Sequence, residues 1–223
     1  MSRQMFNNAV VAGMAICMAA VVYLQCENKL VGAFLFSLGL LTVIIFRKKL
    51  YTGCTGYLAD ARTLNDMYRH DFSGIGGFCV IGYMERFREL MVILFGNAVG
   101  AAILGTIVAF AIPDTREKAI ALMQNKESVV WYAMLMKSVM CGALMQIAFR
   151  VQKADVNIVP VAVRYPIAVM CIMAFILAGF EHSIADIAYA FLAWNWGWQT
   201  VILMGLSIVG NLIGGDQTFR MLE

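Results

Sequence analysis

At 223 residues, 61% apolar and only 14% charged, the chain carries far more hydrocarbon than a soluble domain, which holds about 45–50% apolar and about 25% charged residues. Its long apolar stretches therefore mark membrane spans, and a net charge of +3 is too small for a nucleic-acid-binding surface. Cys17, Cys26, Cys54, Cys79, Cys141 and Cys171 are scattered without a CxxC spacing; they read as apolar filler, not a disulfide framework or a metal set.

The pattern predicts six spans in chain order. Ala9–Leu24 is the first; no small-x-small cleavage site follows it before Glu27, so it reads as a span and not a cleaved leader. Leu30–Phe46 is the second and ends at Arg47-Lys48-Lys49. The stretch from Gly53 to Gly82 is polar, then weakly apolar, and predicts irregular backbone with short helices; His70 within it reads as a surface histidine. Leu90–Ile112 is the third span, stopped by Pro113. Val129–Phe149 is the fourth and carries Lys137 inside it. Ile167–Trp194 is the fifth and Trp198–Gly215 the sixth.

Loop charge predicts the orientation. With the N-terminus inside, twelve basic residues fall on the inner side (Arg3; Arg47, Lys48, Lys49, Arg62, Arg69, Arg86, Arg88; Arg150, Lys153, Arg164; Arg220), and Lys29, Arg116, Lys118 and Lys126 fall outside. That bias places both termini in the cytoplasm. Trp194, Trp196 and Trp198 then form an outer aromatic belt.

The fifth span is interrupted by Gly179-Phe180-Glu181-His182-Ser183-Ile184-Ala185-Asp186. Ionisable groups at membrane depth are costly unless they face protein or water, so they mark function. His182 is the candidate chemical centre. A neutral, satisfied core histidine is the plain alternative; the adjacent Glu181 and the broken helix favour function.

A repeat lies across the spans. Phe95-Gly96-Asn97-Ala98-Val99-Gly100 matches Val209-Gly210-Asn211-Leu212-Ile213-Gly214, and Ala12-Gly13 matches Cys141-Gly142 more weakly. Three spans duplicated in opposite orientation, approximately 1–113 and 126–223 within one transmembrane domain, place a transport path between halves built from interrupted helices. The glycines alone would serve helix packing. Asn97 and Asn211, which must find hydrogen bonds if buried, point to pore-side or break-supporting roles.

These motifs resemble the formate/nitrite transporter family. Gly179 to Ala185 resembles its most specific motif, Leu30 to Leu40 its second span, Leu50-Tyr51-Thr52-Gly53 its Leu-Phe-Thr-Gly loop, and Gly210 to Gly215 its last span. Lys137, ahead of Cys141-Gly142, resembles a lysine of its fourth span. The resemblance implies an all-α, aquaporin-like protomer with spans two and five broken, assembled as a homopentamer in the cell (inner) membrane with one pore per protomer. Phe36 and Phe175 would form the outer constriction, and Leu40, Leu50 and Tyr51 the inner one. Thr52 and His182 would lie between, with Asn211 behind the loops or pore wall. Arg47-Lys48-Lys49 replaces a small pair and an acid of the family pattern, and Asp186 replaces an asparagine.

The implied activity is passage of a small monovalent weak acid, formate first, with hydrosulfide or nitrite as alternatives. A bare anion pays heavily in a dry constriction. Protonating a carboxylate of pKa ~3.5–4 at neutral pH costs about three units, or about 4 kcal/mol. Lys137 would gather anions near the outer mouth, and His182 would exchange the proton, either directly or by steering a water-borne one. Thr52 would donate to the ring or the substrate. Glu181 and Asp186 are assigned to holding the break through backbone N–H groups. No enzyme, metal or cofactor is expected. The rivals are a channel for a neutral small molecule and a haem- or quinone-bearing subunit of a membrane redox complex.

Overall fold

The computed structural model describes residues 3–58 and 77–222. His70 and the polar stretch around it lie outside the described residues. The described chain is all-helical, and four of its helices are long and apolar enough to cross a bilayer. Large apolar side chains such as Phe95, Ile107, Met136 and Met170 point outward, as a hydrocarbon solvent requires.

Helix α1 (Arg3–Gln25) has 23 residues, enough at about 1.5 Å each to span about 30 Å. Helix α2 (Lys29–Ile45) is shorter. Asn28 caps it, accepting from the N–H groups of Leu30 and Val31 at 2.9 and 3.2 Å. The chain then breaks and restarts as α3 (Tyr51–Cys54), which runs into a 3-10 turn at Thr55–Leu58. Helix α4 (Gly77–Ala111) is longer than the predicted third span. Its first residues, expected as irregular backbone, contain no proline and continue the helix outward from the apolar core of the span.

Pro113 opens a further helix, α5 (Pro113–Glu127), in the segment between the third and fourth predicted spans. Helix α6 (Trp131–Arg150) is the fourth span. Arg164 braces the connection after it, donating to the carbonyls of Gln152, Ala154 and Val159. The fifth span is two helices, α7 (Val161–Leu177) and α8 (Ser183–Ala193), and α9 (Trp198–Met221) closes the bundle.

The two broken spans end alike. In α7, the Phe180 N–H reaches back to the Phe175 carbonyl and the Gly179 N–H to that of Ile176. In α2, the Lys48 N–H reaches Val43 and the Arg47 N–H reaches Ile44. Both are Schellman caps, whose turning residue is left-handed and favours glycine. Gly179 fills that place with φ 66°, whereas Arg47 fills its equivalent with φ 50°. For a residue with a Cβ this conformation costs about 1–2 kcal/mol.

Each break is then held by one asparagine. The Asn97 amide donates to the carbonyls of Lys49 (2.8 Å) and Ala9 (2.7 Å) and accepts from the Tyr51 N–H (2.8 Å). The Asn211 amide donates to the carbonyls of Glu181 (2.8 Å) and Ser138 (2.7 Å) and accepts from the Ser183 N–H (2.8 Å). Both are fully buried. Glycines let the helices come this close: a Cβ on Gly100 would stand 2.0 Å from the Val10 carbonyl oxygen, and one on Gly214 1.9 Å from that of Val139.

Asn211→Ala strands the Ser183 N–H and the Glu181 carbonyl at membrane depth. The expected cost is about 1–3 kcal/mol for each group left unsatisfied, read as a lower melting temperature in detergent. Asn97→Ala should behave alike, and an unchanged melting temperature would show that the clamps are dispensable.

Candidate functional site

The two breaks meet at His182. Its side chain caps α8, Nδ1 accepting the Ala185 N–H at 3.1 Å. Nε2 lies 3.0 Å from the Thr52 hydroxyl of the other break. Because Nδ1 accepts, the neutral ring carries its proton on Nε2 and donates it to Thr52, an assignment made from the hydrogen bonds. Both residues are buried.

Aromatic rings close one side. Phe175 stacks on the imidazole, centroids 5.5 Å apart and planes at 17°. Phe36 meets Phe175 edge-on at 6.2 Å, and Tyr23 meets Phe36 edge-on at 6.3 Å. Leu40, Leu50 and Tyr51 are buried among the core residues, and the Tyr51 hydroxyl donates to the Ile208 carbonyl at 3.1 Å.

A cavity of about 220 Å³ adjoins the Phe36–Phe175 pair and includes His182 in its lining. Lys137 borders it, half-buried. The residue that dominates it electrostatically is Lys126, which the sequence reading counted among the outer loop cations. Lys126 sits near the end of α5 and ion-pairs with Glu181 and with Asp186, the latter at 2.9 Å. Its ammonium also lies over the Tyr189 ring, 5.8 Å from the centroid. Burial alone would push this lysine toward neutrality, but the Asp186 and Glu181 carboxylates outweigh it and raise its pKa above the usual lysine value.

Several expected roles therefore shift. Among the described residues, the Glu181 and Asp186 side chains accept from Lys126 and not from backbone N–H groups of the break. The break is held by Asn211 and by His182 itself. Asn97 and Asn211, expected in pore-side or break-supporting roles, spend their amides on the backbone of the breaks. Asp186 is buried, and its Oδ2 has no hydrogen-bond partner among the described residues. Two cations, Lys126 and Lys137, thus face two carboxylates around one cavity. The sequence carried one signal for Lys126: two buried acids in a single break require a nearby cation.

Fold and site define a multi-pass, all-helical membrane protein organised around two interrupted spans. The chain belongs to the formate/nitrite transporter family, a family of transporters and not of enzymes; the model described as "Formate/nitrite transporter" matches residues 1–222. It is 24% identical over 197 residues to the formate channel FocA of Haemophilus influenzae, spanning 81% of this chain and 63% of that protein's length. The fold matches a solved pentameric formate channel with formate bound, with TM-score 0.73 at 21% identity, covering 98% of this chain and 94% of the other. It also matches an FNT family ion channel with TM-score 0.70 at 18% identity, covering 98% and 86%.

Lys126→Met leaves two buried carboxylates without their cation. Breaking such a pair costs about 3–5 kcal/mol, so the melting temperature should fall steeply. The triple variant that adds Glu181→Gln and Asp186→Asn should recover most of the loss. A single variant as stable as the parent would show that the ion pairs contribute nothing.

Proposed function

We propose that this protein is a channel-like transporter of a small monovalent weak acid, formate before hydrosulfide or nitrite, working as a homopentamer in the cell membrane with both termini cytoplasmic. The observation that carries the reading is the His182–Thr52 hydrogen bond, which joins the two helix breaks beside stacked aromatic rings. The formate channels among its relatives support the substrate class. The paired Asn97 and Asn211 clamps support an inverted duplication of approximately 1–113 and 126–223, with the path between the halves.

In this reading the anion enters the cavity beside Lys126 and Lys137. Two cations there raise its local concentration, while the carboxylates keep it from being held too tightly. The ring pair Phe36–Phe175 is the first dry passage. A charged species crosses such a passage at far greater cost than a neutral one, so the proton is traded next to it.

His182 supplies the exchange. A proton first enters at Nδ1, displacing the Ala185 N–H and making the ring an imidazolium. The Nε2 proton then passes to the anion through the Thr52 hydroxyl, which gives up its own proton as it accepts the ring's, and the ring is left neutral with its proton on Nδ1. Exchange therefore loosens the first turn of α8, and the cap re-forms when the ring returns to its resting tautomer. Leu40, Leu50 and Tyr51 form the second dry passage beyond.

Liposome uptake of formate, nitrite, hydrosulfide and chloride across pH 5 to 8 tests this. Formate flux should fall as pH rises, because the neutral acid lies ever further above the anion in free energy. His182→Ala should lower formate flux at least about a hundredfold, the usual scale for losing a positioned proton donor, and flatten its pH dependence. Flux indifferent to both pH and His182 would overturn the scheme.

A further inference from the structure

We propose that Asp186 is a specificity-determining residue. Its free carboxylate oxygen makes the Lys126 cavity a site for a small neutral molecule that carries both a hydrogen-bond donor and an acceptor, of which the undissociated weak acid is the natural example.

Asp186 is fully buried on α8 and lines the cavity of about 220 Å³. Lys126 donates to its Oδ1 at 2.9 Å. Oδ2 is left without a partner among the described residues. A buried carboxylate oxygen has given up its water, and such groups are found bonded to a donor. The groups around it are already committed. The His182 nitrogens are taken by the Ala185 N–H and the Thr52 hydroxyl. Lys126 is held between the two acids and the Tyr189 ring. Oδ2 is therefore an acceptor open to an O–H or N–H that enters the cavity.

Lys137 presents the reverse. It borders the same cavity, half-buried, and its ammonium has no hydrogen bond or ion pair among the described residues. An ammonium donates and cannot accept. The cavity thus carries one open donor and one open acceptor. A chloride, nitrate or formate ion only accepts: it suits Lys137 and meets the Asp186 oxygen with like charge. The undissociated acid suits both, its carbonyl oxygen accepting from Lys137 and its hydroxyl donating to Asp186. Sites built to bond a substrate donor strongly reject analogues that lack it.

This deepens the transport reading and, for its effect on flux, rests on it. The anion gathers in the cavity and takes its proton beside His182. Asp186 then favours the product of that exchange over the ion that entered. The binding preference itself does not depend on transport.

One substitution inverts the wall. Lys126 only donates, so the side chain at position 186 turns an oxygen toward it. In Asp186→Asn the amide oxygen replaces Oδ1 and the amide nitrogen replaces Oδ2. The open acceptor becomes a donor with almost no change of shape. Glu181→Gln removes the same charge and leaves the Asp186 oxygen as it was.

Saturation-transfer NMR of the detergent-solubilised protein at about pH 8, with two neutral probes, is the test. Formamide has N–H donors; N,N-dimethylformamide keeps the carbonyl and lacks them. Each is read at its formyl C–H. The parent should bind formamide at least about tenfold more tightly than dimethylformamide, the scale of one hydrogen bond to a charged group. Asp186→Asn should abolish that preference, whereas Glu181→Gln should keep it. Equal affinities in the parent would show that water alone meets the oxygen. A preference that survives Asp186→Asn would place its acceptor elsewhere, and one lost equally in Glu181→Gln would reduce it to charge. Each of these outcomes overturns the proposal. The parent comparison needs no variant, so misfolding of Asp186→Asn does not remove the test.

Formamide should also compete with formate uptake into liposomes in the parent and lose that effect in Asp186→Asn. Should the parent show the preference but take up no formate, the transport reading fails and the site stands. Should formate uptake follow its expected pH course while the two probes bind equally, the site falls and the transport reading stands.

Discussion

Two side-chain amides make the rest of this architecture possible. A helix interrupted inside a bilayer exposes N–H and carbonyl groups that no water can satisfy. Asn97 and Asn211 each satisfy two such groups, one on either side of a break, and bond as well to a carbonyl of a neighbouring span. The amide is suited to this because it donates twice and accepts in the same plane. Each break is thereby pinned to two helices at once. The histidine, the threonine and the phenylalanine rings inherit their positions from these pins.

Sequence patterns exposed this framework well because it is written in local chemistry. A glycine-asparagine motif repeated in two apolar segments, and charges crowded into a third, violate what hydrocarbon tolerates, and such violations are legible without a structure. The second and fourth spans fall within two residues of their predicted limits, whereas the first and fifth begin six residues earlier and the last ends six residues later, where polar turns extend the helices. What escaped was tertiary. Lys126 belongs to a polar helix, Pro113–Glu127, whose low hydropathy marks it only as lying outside the spans. Nothing in its periodicity says that its last turn folds inward onto Glu181 and Asp186. Lys137 drew attention instead because a lysine in an apolar run is locally anomalous. The start of Gly77–Ala111 was missed for the same kind of reason: its polar early turns lie beyond the apolar segment that the pattern detects.

The charge distribution along the molecule is uneven in a way that composition conceals. A net charge of +3 conceals a cavity of mixed sign, where Lys126 and Lys137 meet Glu181 and Asp186 beside the aromatic rings. Fields in low-dielectric surroundings reach further than in water. The potential at that cavity is therefore set by fixed side chains and is independent of any gradient the cell maintains.

The Lys126 ion pairs give the segment between the third and fourth spans an unexpected standing. A connection between spans is commonly a tether whose only duty is to be long enough. Here the helix Pro113–Glu127 contributes a wall and the counter-charge for two acids of the break in the fifth span. Severing the polypeptide between Ile112 and Val129 and discarding what lies between would not yield two competent pieces. The later part would retain both carboxylates without the lysine that pairs with them, so the junction belongs to the working core.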